Sequence, residues 1–197
     1  MGNKQYKTVK YNDIKNKILP LDLIFNDVKG IDIINIVQYI CNQNHNGEWT
    51  HVGVILDSGS YNCIMDSSIN GVGYNILDTY INQKNCTFAY CRLKNNPFIK
   101  MDNEIDYLDR IKKLRLIISD FYSKYINKPY EGLLHLTESI IPLSSHNSDD
   151  AVFCSELVVR LYQEFGLIDN KINPERILPG ELFEYIICDE PIVIIIY

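Results

Sequence analysis

The sequence predicts a single α+β domain, an antiparallel sheet with helices packed on it. Three observations predict this class. Short apolar runs alternate with turn signals through residues 49–93, as in a strand meander. Two segments, 102–125 and 154–165, carry apolar residues at helical spacing. The 197 residues supply one sizeable core, whereas two compact domains would be a squeeze.

The elements follow in order. Residues 1–18 are polar and are expected to be a peripheral segment, with the domain spanning 19–197. Leu19-Pro20-Leu21-Asp22-Leu23-Ile24-Phe25 reads as a proline-started strand with Asp22 on one face. Residues 31–43 carry a helical stripe that includes Ile33, Ile36, Val37 and Ile40, and 42–47 is a polar loop. Residues 49–56 and 61–66 are two strands around the turn signal Asp57-Ser58-Gly59-Ser60. Residues 71–77 and 86–93 read as further strands. The 102–125 helix is broken by Asn127-Lys128-Pro129-Tyr130. Residues 133–141 suggest a short helix before a polar loop at 144–150. The next helix opens at Cys154, runs to about Phe165 and stops at Gly166. The apolar tail 191–197 is short enough for a buried strand.

Bulk chemistry excludes several functions. The net charge is −6 and no basic stripe with interleaved aromatics appears, which argues against nucleic-acid binding. No apolar run approaches membrane-spanning length. Gly2 invites a myristoylation reading, but Tyr6 stands where Ser or Thr is required. Peripheral membrane contact is left open by this reading. The six cysteines, Cys41, Cys63, Cys86, Cys91, Cys154 and Cys188, are scattered without paired spacing, and no signal peptide precedes them. Free thiols in a reducing, cytoplasmic compartment are the expectation. No zinc spacing is present, so no metal and no cofactor are expected.

Chemistry concentrates at two places. Cys154, in Phe153-Cys154-Ser155-Glu156-Leu157-Val158, lies in the first turn of a helix. With Leu157, Val158, Leu161 and Phe165 it forms the helix's apolar stripe, so the thiol faces inward. A helix N-terminus favours a thiolate, and its free N–H groups can receive an oxyanion. His51, in Thr50-His51-Val52-Gly53-Val54, lies on a strand far upstream. If the hairpin turn is symmetric about Ser58-Gly59, Val54 faces Cys63, Val52 faces Met65 and His51 faces Asp66. A carboxylate opposite the imidazole fixes its tautomer and stabilises its charged form. A one-residue bulge would send Asp66 to the other face. Gly53, on the face of His51, is expected to leave space for the Cys154 helix. Taken singly, each residue has a plain structural reading: a packed thiol, a satisfied core histidine, a turn-capping aspartate. Their joint occurrence is the signal. His45, His135 and His146 read as structural or solvated.

The segments Thr50-His51-Val52-Gly53-Val54 and Phe153-Cys154-Ser155-Glu156-Leu157-Val158, in that order, resemble the circularly permuted papain-like amidases of the NlpC-like cysteine peptidase superfamily. That superfamily has bacterial members and poxvirus relatives, with lecithin:retinol acyltransferase a more distant cousin. Leu21-Asp22-Leu23-Ile24-Phe25 resembles the strand that opens the domain, with Leu21 where Gly is usual. Asn127-Lys128-Pro129-Tyr130-Glu131 resembles the segment between the long helix and the cysteine, with Glu131 where Asp is usual. The resemblance implies a permuted papain-like fold with Cys154 as nucleophile at a helix N-terminus and His51 as general base. Asp66 takes the third position, where many relatives place Glu, and Tyr130 lines the substrate cleft. The implied activity is cysteine hydrolysis or acyl transfer on an amide, ester or thioester of a small peptide or acyl lipid. Deubiquitinase-like action on host proteins and a non-catalytic binding or virulence module are the alternatives. Oligomeric state cannot be read from the residues.

Overall fold

The structure is a computed structural model that describes residues 7–28, 49–57, 61–68, 70–99, 104–129, 152–182 and 192–195. Seven strands form its sheet: β1 (Lys7–Lys10), β2 (Leu23–Val28), β3 (His51–Asp57), β4 (Asn62–Ser68), β5 (Gly71–Ile76), β6 (Cys86–Cys91) and β7 (Ile192–Ile195). Their spatial order is β1-β7-β6-β2-β3-β4-β5. Every pairing is antiparallel except β1 with β7. The helices are the short α1 (Tyr11–Ile14), α2 (Leu77–Ile81), the long α3 (Glu104–Tyr125) and α4 (Cys154–Glu164). Strands β2 to β7 and helices α3 and α4 fall close to the expected segments, whereas β1, α1 and α2 lie where no element is expected. The helical stripe at 31–43 and the short helix at 133–141 lie outside the described residues.

The central strands are apolar on both sides, and both sides are covered. Val52, Val54 and Leu56 of β3 and Met65 of β4 point to a core shared with Leu157, Val158 and Leu161 of α4 and with Ile111, Leu114 and Phe121 of α3. Ile24, Ile55, Ile64 and Phe88 point to the other side, where Leu77, Tyr80 and Ile81 of α2 pack with Ile14 and Ile18. The molecule therefore has three layers, as expected for strands that read as near-continuous apolar runs. Residues 7–18 supply the edge strand β1 as well as the buried Ile14 and Ile18.

Two expectations need correcting. The β3–β4 register pairs Val54 with Met65, Ile55 with Ile64, Leu56 with Cys63 and Asp57 with Asn62. The hairpin is thus two residues longer than a symmetric turn at Ser58-Gly59 would make it. The Cys154 helix also packs against the face of Val52 and Val54, not that of Gly53. A Cβ on Gly53 would stand 2.6 Å from the Ile64 side chain and 3.1 Å from the Met65 carbonyl. The missing side chain admits Ile64 rather than a helix. Both faces of β3 are buried, so the strand itself does not say which one the helix takes.

The approach to β2 also differs from a plain strand. Residues 19–22 turn into the sheet, with Leu21 at φ 67°, in the left-handed region that favours glycine. Leu21 stands where the resemblance noted above has Gly. Its N–H donates to the Ile55 carbonyl at 2.7 Å, its carbonyl accepts from the Tyr162 hydroxyl, and its side chain is fully buried. Asp22 follows, buried, and collects the Leu19 N–H at 2.9 Å, the Tyr90 hydroxyl at 2.6 Å, Arg92 Nε at 3.1 Å and Asn96 Nδ2 at 2.8 Å. This aspartate ties the start of β2 to the end of β6.

The left-handed conformation inverts a usual order. Leu21→Ala and Leu21→Gly both lose a buried isobutyl group, at about 2–5 kcal/mol. Alanine keeps the strain of a Cβ at positive φ, roughly 1–2 kcal/mol, against about 0.4–1 kcal/mol of extra chain entropy for glycine. Leu21→Gly is expected to be at least as stable as Leu21→Ala in urea unfolding. A clear advantage for the alanine variant would show that the turn carries no such strain.

Candidate active site

Cys154 is placed by its neighbours in sequence. Phe153 is extended at φ −78°, ψ 161°, and its carbonyl accepts the first helical bond, from Leu157 N at 2.9 Å. Glu156 reaches back so that Oε2 accepts from the Phe153 N–H at 3.2 Å, the returning half of a capping box. Its other oxygen takes Arg160 Nε at 2.6 Å, and Arg160 also holds Glu175 at 3.2 Å. Burial pushes the Glu156 carboxyl up, and Arg160 with the Phe153 N–H pulls it back. Ser155 Oγ donates to the Ile177 carbonyl at 2.6 Å. Ser67 of β4 donates to the Val152 carbonyl at 2.7 Å, which fixes the chain two residues before the thiol. The Cys154 side chain is buried at the head of α4, where the first N–H groups lack intrahelical acceptors.

His51 is the first residue of β3, and Asp66 is on β4. Their contact is Nε2 to Oδ2 at 2.8 Å, with side chains 11% and 5% exposed. They are not directly opposed, because the register differs by two residues from a symmetric hairpin. Two residues is one full period of the pleat, so Asp66 stays on the face of His51 and reaches it diagonally. The Cys154 thiol also lies against the ring, close enough to act on its charge. The β3–β4 ladder ends at the Val54–Met65 pair. Thiol, ring and carboxylate meet beyond that pair, with the thiol arriving from the helical layer on the opposite face.

The ring's ionisation follows from this enclosure. Burial works against the charged form, but Cys154 and Asp66 together outweigh it. They push the His51 pKa from 6.5 up to about 10. The ring is thereby held in its charged form near neutral pH.

Of the four expected site residues, the structure brings Cys154, His51 and Asp66 together. Tyr130 lies outside the described residues, as do Cys41, Cys188, His45, His135 and His146. Residue-by-residue reading missed Ser67, Ser155, Asn26 and Tyr80. Asn26 of β2 pairs with His51 across the sheet, and Tyr80 of α2 packs on the same face. Asn26 Nδ2 donates to the Tyr80 hydroxyl at 3.3 Å. A second thiol, Cys86, lies on this side, half-buried. Its pKa is raised by burial and by the Asp27 charge, with His51 pulling the other way. Among the described residues no group of three His, Cys, Asp or Glu side chains is arranged to hold a metal ion.

The raised pKa makes the site's charge measurable. The stabilisation from the charged ring is complete below about pH 6.5 and is lost as pH rises through about 10. An NMR titration of the His51 ring is expected to show a midpoint near 10 in the wild type. Cys154→Ala and Asp66→Asn should each lower it, since each removes a group that favours the charged ring. A midpoint near 6.5 in the wild type would contradict the arrangement.

The profile of the permuted papain-like amidase enzymes, the YaeF/YiiX or C92 family, matches residues 22–175. Among solved structures, the fold is similar to that of the metalloprotein YiiX from Escherichia coli O157:H7, with a TM-score of 0.53 at 16% identity, over 86% of this chain and 94% of that one. No curated protein sequence matches the chain. The family match covers Asp22, His51, Asp66 and Cys154 and extends over most of the sequence, with the histidine strand ahead of the cysteine helix. The chain belongs to the permuted papain-like amidase family.

Proposed function

We propose that this protein is a cysteine amidase in which Cys154 is the nucleophile, His51 the acid and base, and Asp66 the group that holds the ring. The observation that carries this reading is the buried imidazole bracketed by the Asp66 carboxylate at 2.8 Å and by the Cys154 thiol. The Cys154 thiolate attacks the amide carbonyl carbon. The carbonyl oxygen becomes an oxyanion at the head of α4, within reach of free N–H groups. Collapse breaks the C–N bond while the His51 imidazolium gives its proton to the departing amine. The neutral ring then takes a proton from water, whose oxygen attacks the thioester. The C–S bond breaks and the thiolate–imidazolium pair returns.

Small peptide amides or acyl groups are the proposed substrates. An amine or alcohol acceptor in place of water would turn the same acyl-enzyme to transfer, so hydrolase and acyltransferase differ only in that last step.

The test is covalent labelling by a peptidyl vinyl sulfone at pH 6, with the modified residue mapped by mass spectrometry. Cys86, with its raised pKa, remains a thiol there and serves as the internal control. Cys154 is expected to be labelled selectively, with the rate falling about 10²–10⁴-fold in His51→Gln. Equal labelling of Cys154→Ala and wild type, or a rate indifferent to His51, would overturn the reading.

A further inference from the structure

Asp66 is held from a second side. Tyr80 is buried, its ring centroid 5.6 Å from that of Phe88, and its hydroxyl lies beside the Asp66 carboxylate. Asn26, also buried, donates from Nδ2 to the same hydroxyl at 3.3 Å. Asn26, His51 and Asp66 share one face of the sheet, by the β2–β3 register and the pleat.

We propose that Tyr80, oriented by Asn26, is a positioning residue for the site: a one-way chain of hydrogen bonds, Asn26 to Tyr80 to Asp66, aims the carboxylate at the His51 ring. The proposal rests on the cysteine amidase reading above and extends it to two further residues.

The direction of the chain follows from donor chemistry. A carboxylate only accepts, so the phenol spends its one proton on Asp66. The phenol oxygen is then free only to accept, so the Asn26 group facing it must be the NH₂. That orientation leaves Asn26 Oδ1 buried and without a hydrogen-bond partner among the described residues. Buried polar atoms are rarely left unpaired, and an exception calls for a reason. Turning the amide round would give Oδ1 the phenol proton, at the expense of Asp66. The orphaned acceptor is what keeping the phenol aimed at Asp66 leaves behind. Burial and the surrounding anions hold the Tyr80 pKa well above its ordinary value, so the phenol keeps its proton throughout the working range.

The experiment compares wild type, Tyr80→Phe and Asn26→Asp, reading the His51 NMR midpoint and the pH 6 labelling rate of Cys154. Tyr80→Phe removes the proton given to Asp66 and keeps the ring. Asn26→Asp places a second carboxylate in competition for that proton and keeps the volume. Tyr80→Phe is expected to lower the His51 midpoint, whereas Asn26→Asp adds an anion beside the ring and is read by rate; both are expected to slow labelling about tenfold, the scale of one hydrogen bond to a charged group. A purely structural role would lower thermal stability while leaving the labelling rate unchanged, and that result in either folded variant would overturn the proposal. Should Tyr80→Phe fail to fold, Asn26→Asp decides alone. Should wild-type Cys154 itself show no selective, His51-dependent labelling, the amidase reading fails first. Normal wild-type labelling with unaltered variants sinks only the role of Tyr80 and Asn26.

Discussion

The site depends on the pleat of one strand. Asp66 and Ser67 are consecutive on β4 and therefore point to opposite faces. Asp66 holds the His51 ring on one side, and Ser67 holds the Val152 carbonyl on the other. Val152 is two residues from Cys154, so one strand locates both halves of the constellation. A slip of one residue would exchange the two side chains and lose both contacts together. Six consecutive pairs with β5, from Cys63–Ile76 to Ser68–Gly71, stand against such a slip.

Buried carboxylates elsewhere serve the frame. Asp22 gathers Tyr90, Arg92, Asn96 and the Leu19 N–H. Glu156 joins Arg160 to the N–H that precedes Cys154. Burying a charge costs several kcal/mol unless it is paired and bonded, and breaking such a pair costs about 3–5 kcal/mol. Asp22 and Glu156 meet that condition with partners from several elements. His51 meets it differently. Its charge is balanced by two groups of the site, so the interaction that stabilises the ring also readies it for proton transfer. The two jobs cannot be separated by a substitution at His51. Tyr80, which lies beside the carboxylate, offers a place to separate them.

Sequence reasoning reached these parts unevenly, for reasons visible in particular residues. Cys154 was recognisable because the spacing of Leu157, Val158 and Leu161 points its face inward without any knowledge of the partner. The register expected from a symmetric turn is off by two residues and still selects Asp66. Since that error equals the period of the strand, it left the shared face unchanged. The packing side of α4 was misjudged because Gly53 looked like a gap awaiting a helix, whereas the Ile64 side chain on the neighbouring strand fills it. Asn26 and Tyr80 gave no local sign. Their nearness to the site arises from the β2–β3 pairing and from how α2 folds back on the sheet, both long-range events. Leu21 did leave a trace, as a departure from an expected glycine, and its φ of 67° gives that departure a physical meaning.

The short third residue brings these points together. Aspartate reaches less far than the glutamate the family resemblance implies at this place, yet its contact with Nε2 is 2.8 Å. Across β5 its partner is Gly73, and a Cβ placed there would meet nothing within 4 Å. Gly73 itself therefore offers no side chain to brace the carboxylate. Where packing leaves a group room to rotate, hydrogen bonds must set its aim, and Asp66 has two that pull in defined directions, from His51 and from Tyr80. The open space at Gly73 and the orphaned oxygen of Asn26 are then two sides of one arrangement. The sheet leaves the carboxylate room on one side, and a buried donor chain fixes its direction from the other.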